Sequence, residues 1–126
     1  MERFIKYNAN PEDLHVGDCT VRAISEATGK SWDETYIGLC VQGFLMANMP
    51  SANHVWGEYL RCNGFKKGIP EYDTHISVSD FAETHTIGIY VLALPEHVVC
   101  LKNGQYIDTW NSGDETILYF WEKECK

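Results

Sequence analysis

The stretch 97–110, HVVCLKNGQYIDTW, decides the fold. Two β-branched, apolar and aromatic runs flank Asn103-Gly104. An Asn-Gly pair in that setting marks a two-residue hairpin, because both central positions of the favoured turn take positive φ. With those two residues as the turn, Lys102 pairs with Gln105, Leu101 with Tyr106 and Cys100 with Ile107. Continued outward, Val99 pairs with Asp108, Val98 with Thr109 and His97 with Trp110. Side chains alternate along a strand. His97, Val99 and Leu101 therefore share a face with Trp110, Asp108 and Tyr106. Asp108 becomes the diagonal neighbour of His97, within side-chain reach. Asn111 falls beyond the pairing and on the other parity. A carboxylate in that place fixes the tautomer and orientation of an imidazole, which a general base requires.

Working outward, Ile87 to Leu94 and Thr116 to Trp121 read as two further strands. Upstream the texture is helical. In CTVRAISEATG (19–29), Ala23, Ile24 and Ala27 lie at helical spacing, Gly29 is a stop, and Asp18 stands at the N-cap position. Ser31-Trp32-Asp33-Glu34 is a capping box that opens a helix through Tyr36, Ile37, Cys40, Val41 and Phe44. Asn53 caps a third helix, HVWGEYLRC, ending at Asn63-Gly64, and Ser77 opens a short turn of helix around Phe81. The first eighteen residues and the stretch around Gly68 and Pro70 read as loop. The expected fold is one α+β domain over 1–126, with N-terminal helices packed on a C-terminal antiparallel sheet.

Cys19 opens the first of those helices. Unpaired N–H groups and the helix dipole favour negative charge there. They lower a thiol pKa and hold the thiolate, the reactive form. Of the five cysteines, only Cys19 has this placement. Cys40 reads as the apolar face of its helix, Cys62 lies at a helix end where the dipole has the wrong sign, Cys100 alternates away from His97, and Cys125 is in the tail. Those four are expected to be reduced and mostly buried. Arg22, one turn after Cys19, is expected to pair with Glu26 at i+4. His15 reads as solvent-facing, and His54, His75 and His85 show no metal-ligand spacing.

A nucleophile on a helix N-terminus, then a His on a strand, then an Asp on the next strand is the order of papain-like cysteine peptidases. GDCTVRA (17–23) resembles their nucleophile helix, and 97–110 resembles their base strand and return strand. Asp108-Thr109-Trp110 is similar to the Asn-Ser-Trp that closes the site in papain. The chain also resembles a group of small papain-like proteins common in phages and bacterial genomes, which carry the same GDC…RA helix and H-V…G…DTW hairpin. The resemblance implies the papain-like form of the α+β fold, a catalytic set of Cys19, His97 and Asp108, and Trp110 as a wall of the site. It departs at Asp13, six residues before Cys19, where papain-like enzymes carry a Gln that helps bind the oxyanion. Asn10, with Asn8 beside it, is the expected substitute.

Composition narrows the partners. Ten Lys and Arg against eighteen Asp and Glu give a net charge of −8, which argues against a nucleic-acid backbone or an anionic membrane as partner. No CxxC pair suggests a metal site, and no cofactor is expected. The N-terminus shows no signal-peptide pattern and the apolar run 87–95 is too short to span a bilayer, so a cytoplasmic protein is expected. The expected activity is hydrolysis of a peptide, isopeptide or other amide bond through a thioester. Two alternatives stand beside it: an acyltransferase or transglutaminase-like enzyme with the same triad, and a non-catalytic binding or inhibitor protein of the phage type.

Overall fold

The Asn103-Gly104 turn forms as its composition requires, with φ of 49° and 79° at the two residues. It joins β4 (His97–Lys102) to β5 (Gln105–Asp108). These assignments come from a computed structural model, which describes residues 2–71 and 75–124. The elements before the hairpin are β1 (Phe4–Lys6), α1 (Cys19–Thr28), α2 (Trp32–Leu45), α3 (Asn53–Cys62), β2 (Phe65–Gly68), α4 (Val78–Thr84) and β3 (Ile89–Leu94), and β6 (Tyr119–Lys123) follows it. Among the described residues no helix is long and apolar enough to cross a membrane.

The six strands form one sheet in the order β1-β5-β4-β3-β6-β2. It is mixed, not purely antiparallel as expected, because β1 lies parallel to β5 with Phe4 opposite Tyr106 and Lys6 opposite Asp108. Both edge strands come from segments read as loop. Phe-Ile-Lys and Phe-Lys-Lys-Gly are too short to show alternation, and short edge strands with exposed Lys are what protected sheet edges look like. The hairpin register holds for the three pairs next to the turn, Lys102–Gln105, Leu101–Tyr106 and Cys100–Ile107. The outer pairs do not form. β5 ends at Asp108 and Thr109-Trp110 bend away, so the expected Val98–Thr109 and His97–Trp110 pairs are absent. On its other side β4 pairs with β3 through the tight turn Pro95-Glu96, which sets His97 opposite Leu94.

Each face of the sheet has its own core. Val91, Ala93, Val98 and Cys100 pack with Ala23, Ile24, Ala27, Leu39, Trp56 and Leu60 of α1–α3. Leu92, Leu94, Val99, Leu101 and Tyr106 pack on the other side with Val78, Phe81 and Ala82 of α4. Two-sided burial explains why β3 reads as a continuous apolar run rather than an alternating one.

Helix starts follow their caps in part. Ser31 accepts a hydrogen bond from the Glu34 N–H at 3.0 Å, and Ser77 accepts one from the Asp80 N–H at 3.1 Å. Asn53 is not a cap. It is the first residue of α3, Ala52 holds the cap position, and the Asn53 Oδ1 accepts from Trp56 Nε1 at 3.0 Å. α2 sits inside out relative to the sequence reading: it buries Thr35, Leu39 and Gly43 and turns Ile37, Val41 and Phe44 outward.

Candidate active site

Cys19 is the first residue of α1. Asp18 holds the N-cap position but makes no side-chain cap, contrary to expectation. Its carboxylate is buried and committed elsewhere. One oxygen accepts from Arg22 at 2.8 Å; the other accepts from Trp32 Nε1 at 3.0 Å and from Asn10 Nδ2 at 3.2 Å. Arg22 thus pairs backward with Asp18 at i−4, not forward with Glu26. With no side-chain cap from Asp18, the N–H groups of the first turn stay available at the helix end that carries the thiol, the arrangement that favours an anion.

His97 opens β4 and Asp108 closes β5, so the two meet at one end of the sheet, beyond the last ladder pair. His97 Nε2 and Asp108 Oδ2 are 2.7 Å apart. With Nε2 on the carboxylate, the other ring nitrogen, Nδ1, is the one left for the Cys19 thiol, whose pKa the ring lowers. The Asp108 side chain is 2% exposed and held on both oxygens. Ser112 Oγ donates to Oδ2 at 2.8 Å, the Thr109 N–H donates to Oδ1 at 2.8 Å, and the Arg22 guanidinium lies 3.7 Å from Oδ1. The Trp110 ring lies over the imidazole, centroids 4.9 Å apart, and remains half exposed. Asn111 is not at His97. Its Oδ1 accepts from the Tyr106 hydroxyl at 2.9 Å and from the Gly113 N–H at 3.0 Å.

Two side chains in this network escaped the sequence. Ser112 sits in a loop with no periodicity to place it. Arg22 does carry a signal, since Asp18 lies one turn before it just as Glu26 lies one turn after it. Through Arg22 the segment flanking the nucleophile is tied to the carboxylate behind the imidazole. The Asp and Arg of GDCTVR thus join Cys19 in one connected cluster.

Burial alone would raise the Cys19 pKa. The hydrogen bond and charge of His97, with smaller help from the Val98 backbone and the Thr20 hydroxyl, outweigh burial and bring it below the usual thiol value. For His97, burial lowers the pKa, but the hydrogen bonds to Asp108 and Cys19 and their charges carry it up to about 9. The two shifts favour a thiolate–imidazolium pair. The pair forms as pH rises through the lowered thiol pKa and is lost as the imidazolium deprotonates near pH 9. Cys100 is the opposite case, fully buried and pushed up to about 12. The expected burial of the other thiols fails for Cys62, which is exposed, and for Cys40, which is half-buried; Cys125 lies outside the described residues. Iodoacetamide near pH 6 is expected to modify Cys19 first, with a midpoint below the ~8.5 of a free thiol. Peptide mapping checks this, and equal early labelling of Cys62 would contradict it.

The thiol opens into a cleft of about 410 Å³, lined on one side by Gly17 and Thr20, on another by Ser51, Asn53 and Trp56, and closed by the β3–β4 end and Tyr119. Asn8 and Asn10 are not in it. Asn8 Nδ2 donates to Asp13 Oδ1 and to the Leu14 carbonyl, both at 3.1 Å. Asn10 is buried, accepts from the Glu12 and Leu14 N–H groups, and donates to Asp18. Both amides knit the 8–14 loop and brace Asp18, which corrects the expectation that either faces the oxyanion. The amide that does face the cleft is Asn53. Compared with protein-family models, curated proteins and solved structures, the chain matches none.

Proposed function

We propose that the chain is a papain-like cysteine hydrolase acting on an amide or peptide bond through a thioester. The observation that carries this reading is the convergence of Cys19, first residue of a helix, and His97 on one cleft, with His97 hydrogen-bonded to an Asp108 carboxylate that is buried, bonded on both oxygens and backed by Arg22. A structural ion pair has no need of a thiol at an open helix N-terminus facing a cleft. In the reaction, the Cys19 thiolate attacks the carbonyl carbon and the carbonyl oxygen becomes an oxyanion. The His97 imidazolium gives its proton to the leaving amine as the C–N bond breaks. His97 then takes a proton from water, whose oxygen attacks the thioester and releases the acid and the thiolate. Asp108 holds the ring in the required orientation throughout.

The oxyanion contact is assigned to the Cys19 N–H and the Asn53 side-chain amide. The Trp56 bond to Asn53 Oδ1 fixes the plane of that amide and leaves its N–H₂ group as donor. Asn53→Ala is expected to lower kcat about 10²–10³-fold with little change in thiol labelling. Asn10→Ala is expected to act on stability instead, by stripping a partner from buried Asp18. Equal kcat losses in both variants, with both still folded, would remove Asn53 from the role.

The test of the function is a peptidyl electrophile followed by turnover of an amide library in the presence and absence of a free amine. Selective modification of Cys19 and release of free acid support the hydrolase. Preferential amide exchange would make the chain an acyltransferase. No modification of Cys19 would sink the enzymatic reading.

A further inference from the structure

The outward face of α2 is apolar from Tyr36 to Leu45. Ile37, Phe44 and Leu45 are between 65% and 83% exposed, Tyr36 and Val41 about half, and Cys40 is half-buried among them. Tyr36, Ile37, Cys40, Val41 and Phe44 together line a shallow groove. At roughly 200 Å² for a large side chain, the five most open residues leave on the order of 600 Å² uncovered, at the upper end for the largest patch on a monomer. The helix does not need this face for its own packing, which is done by Thr35, Leu39 and Gly43.

We propose that this face is a two-fold interface between two copies of the chain, with their α2 helices antiparallel. The idea goes beyond the hydrolase reading and does not depend on it. Three features select a second copy as the occupant. The first is internal symmetry: apolar pairs fall at 36/37, 40/41 and 44/45, so a two-fold axis between Cys40 and Val41 sets Ile37 against Phe44 of the other copy and Tyr36 against Leu45. The second is charge. A chain of net charge −8 approaches its copy best on an uncharged face, and the six positions carry no charge. The acids of α2, Asp33 and Glu34, stand in its first turn, so antiparallel pairing places them over the uncharged 44–49 end of the second helix rather than over each other. The third is area. Two such faces bury about 1,200 Å², the lower bound of a standard specific interface. A bilayer is a poorer fit, because an interfacial helix carries Lys or Arg along its polar edge and α2 has neither.

Sedimentation velocity of the whole chain, from low to high micromolar, tests the proposal. The mass is expected to rise with concentration from 14.4 kDa to twice that value. Phe44→Glu and Ile37→Glu are each expected to weaken association by about 30-fold or more, as removal of an interface anchor does. Both sites are exposed, so thermal melts at concentrations where the parent is monomeric should match it. Mild oxidation with copper phenanthroline is expected to trap a disulfide-linked pair that disappears in Cys40→Ser. A chain that stays at 14.4 kDa at every concentration overturns the proposal. So does a dimer that survives Phe44→Glu, or a monomer that binds neutral vesicles through this face.

Discussion

Asp108→Ala is expected to lower turnover by about 10⁴-fold, since an imidazole without its orienting acid takes the wrong tautomer and swings. The imidazole is positioned by few other contacts: the carboxylate at 2.7 Å, the thiol it serves, and the half-exposed Trp110 ring. Losing the carboxylate also removes the main influence that lifts the His97 pKa against the opposing effect of burial. The upper limb of the rate profile, near pH 9 in the parent, should therefore move to lower pH. The lower limb should move up, because a thiol facing a neutral ring loses the charge that favoured its thiolate. A narrower pH window is the signature that separates a lost orienting acid from simple loosening of the fold. Asn111→Ala is the control, since that side chain bonds Tyr106 and Gly113 and not the imidazole. Comparable losses in the two variants would show that the loop after β5 matters only as a whole.

Arg22→Met is expected to destabilise the fold by about 3–5 kcal/mol, because it leaves a buried carboxylate without its cation. The pair is well removed from water, with Arg22 11% and Asp18 6% exposed, so the discount that applies to surface ion pairs is small here. For a domain of this size that corresponds to a fall of about 10–20 °C in Tm. Asp18→Asn in the same chain should restore most of it. The amide keeps an oxygen for Trp32 Nε1 and no longer carries the orphaned charge. Activity should not return with stability in the double variant, because Asp108 still lacks the guanidinium 3.7 Å from its Oδ1. If the double variant recovers both, Arg22 serves the fold alone.

What could be read in advance was local. Ser31 and Ser77 cap through an oxygen three residues before a free N–H, and such spacing is visible in any sequence. Asn103-Gly104 set the register next to its turn, and that register brought His97 and Asp108 to the same end of the sheet. What could not be read depended on distant chain. β1 is three residues long and exists because β5 offers it an edge. α2 faces the wrong way because the segment after it crosses over Gly43, where a Cβ would stand 2.7 Å from the Asn48 carbonyl. That approach fixes which side of the helix is inward, whatever its apolar periodicity suggests. Asn10 lies in a segment that reads only as irregular loop, and nothing local shows that its buried amide turns toward Asp18 rather than toward the oxyanion.

The pairing of β1 with β5 has a bearing on how the protein comes into being. Phe4 meets Tyr106 across about four-fifths of the chain, and Cys19 waits for a residue on β4. Helices with local contacts form early, whereas strand pairs this remote in sequence close late. During synthesis from the N-terminus, α1 can be complete while its thiol still has no imidazole beside it, and so remains an ordinary thiol. The thiolate–imidazolium pairing of Cys19 and His97 is possible only once the segment from β4 onward has docked. Appearance of fast Cys19 alkylation during refolding therefore timestamps closure of the sheet, and a nascent chain carries no imidazole-paired thiol until β4 has been made and docked.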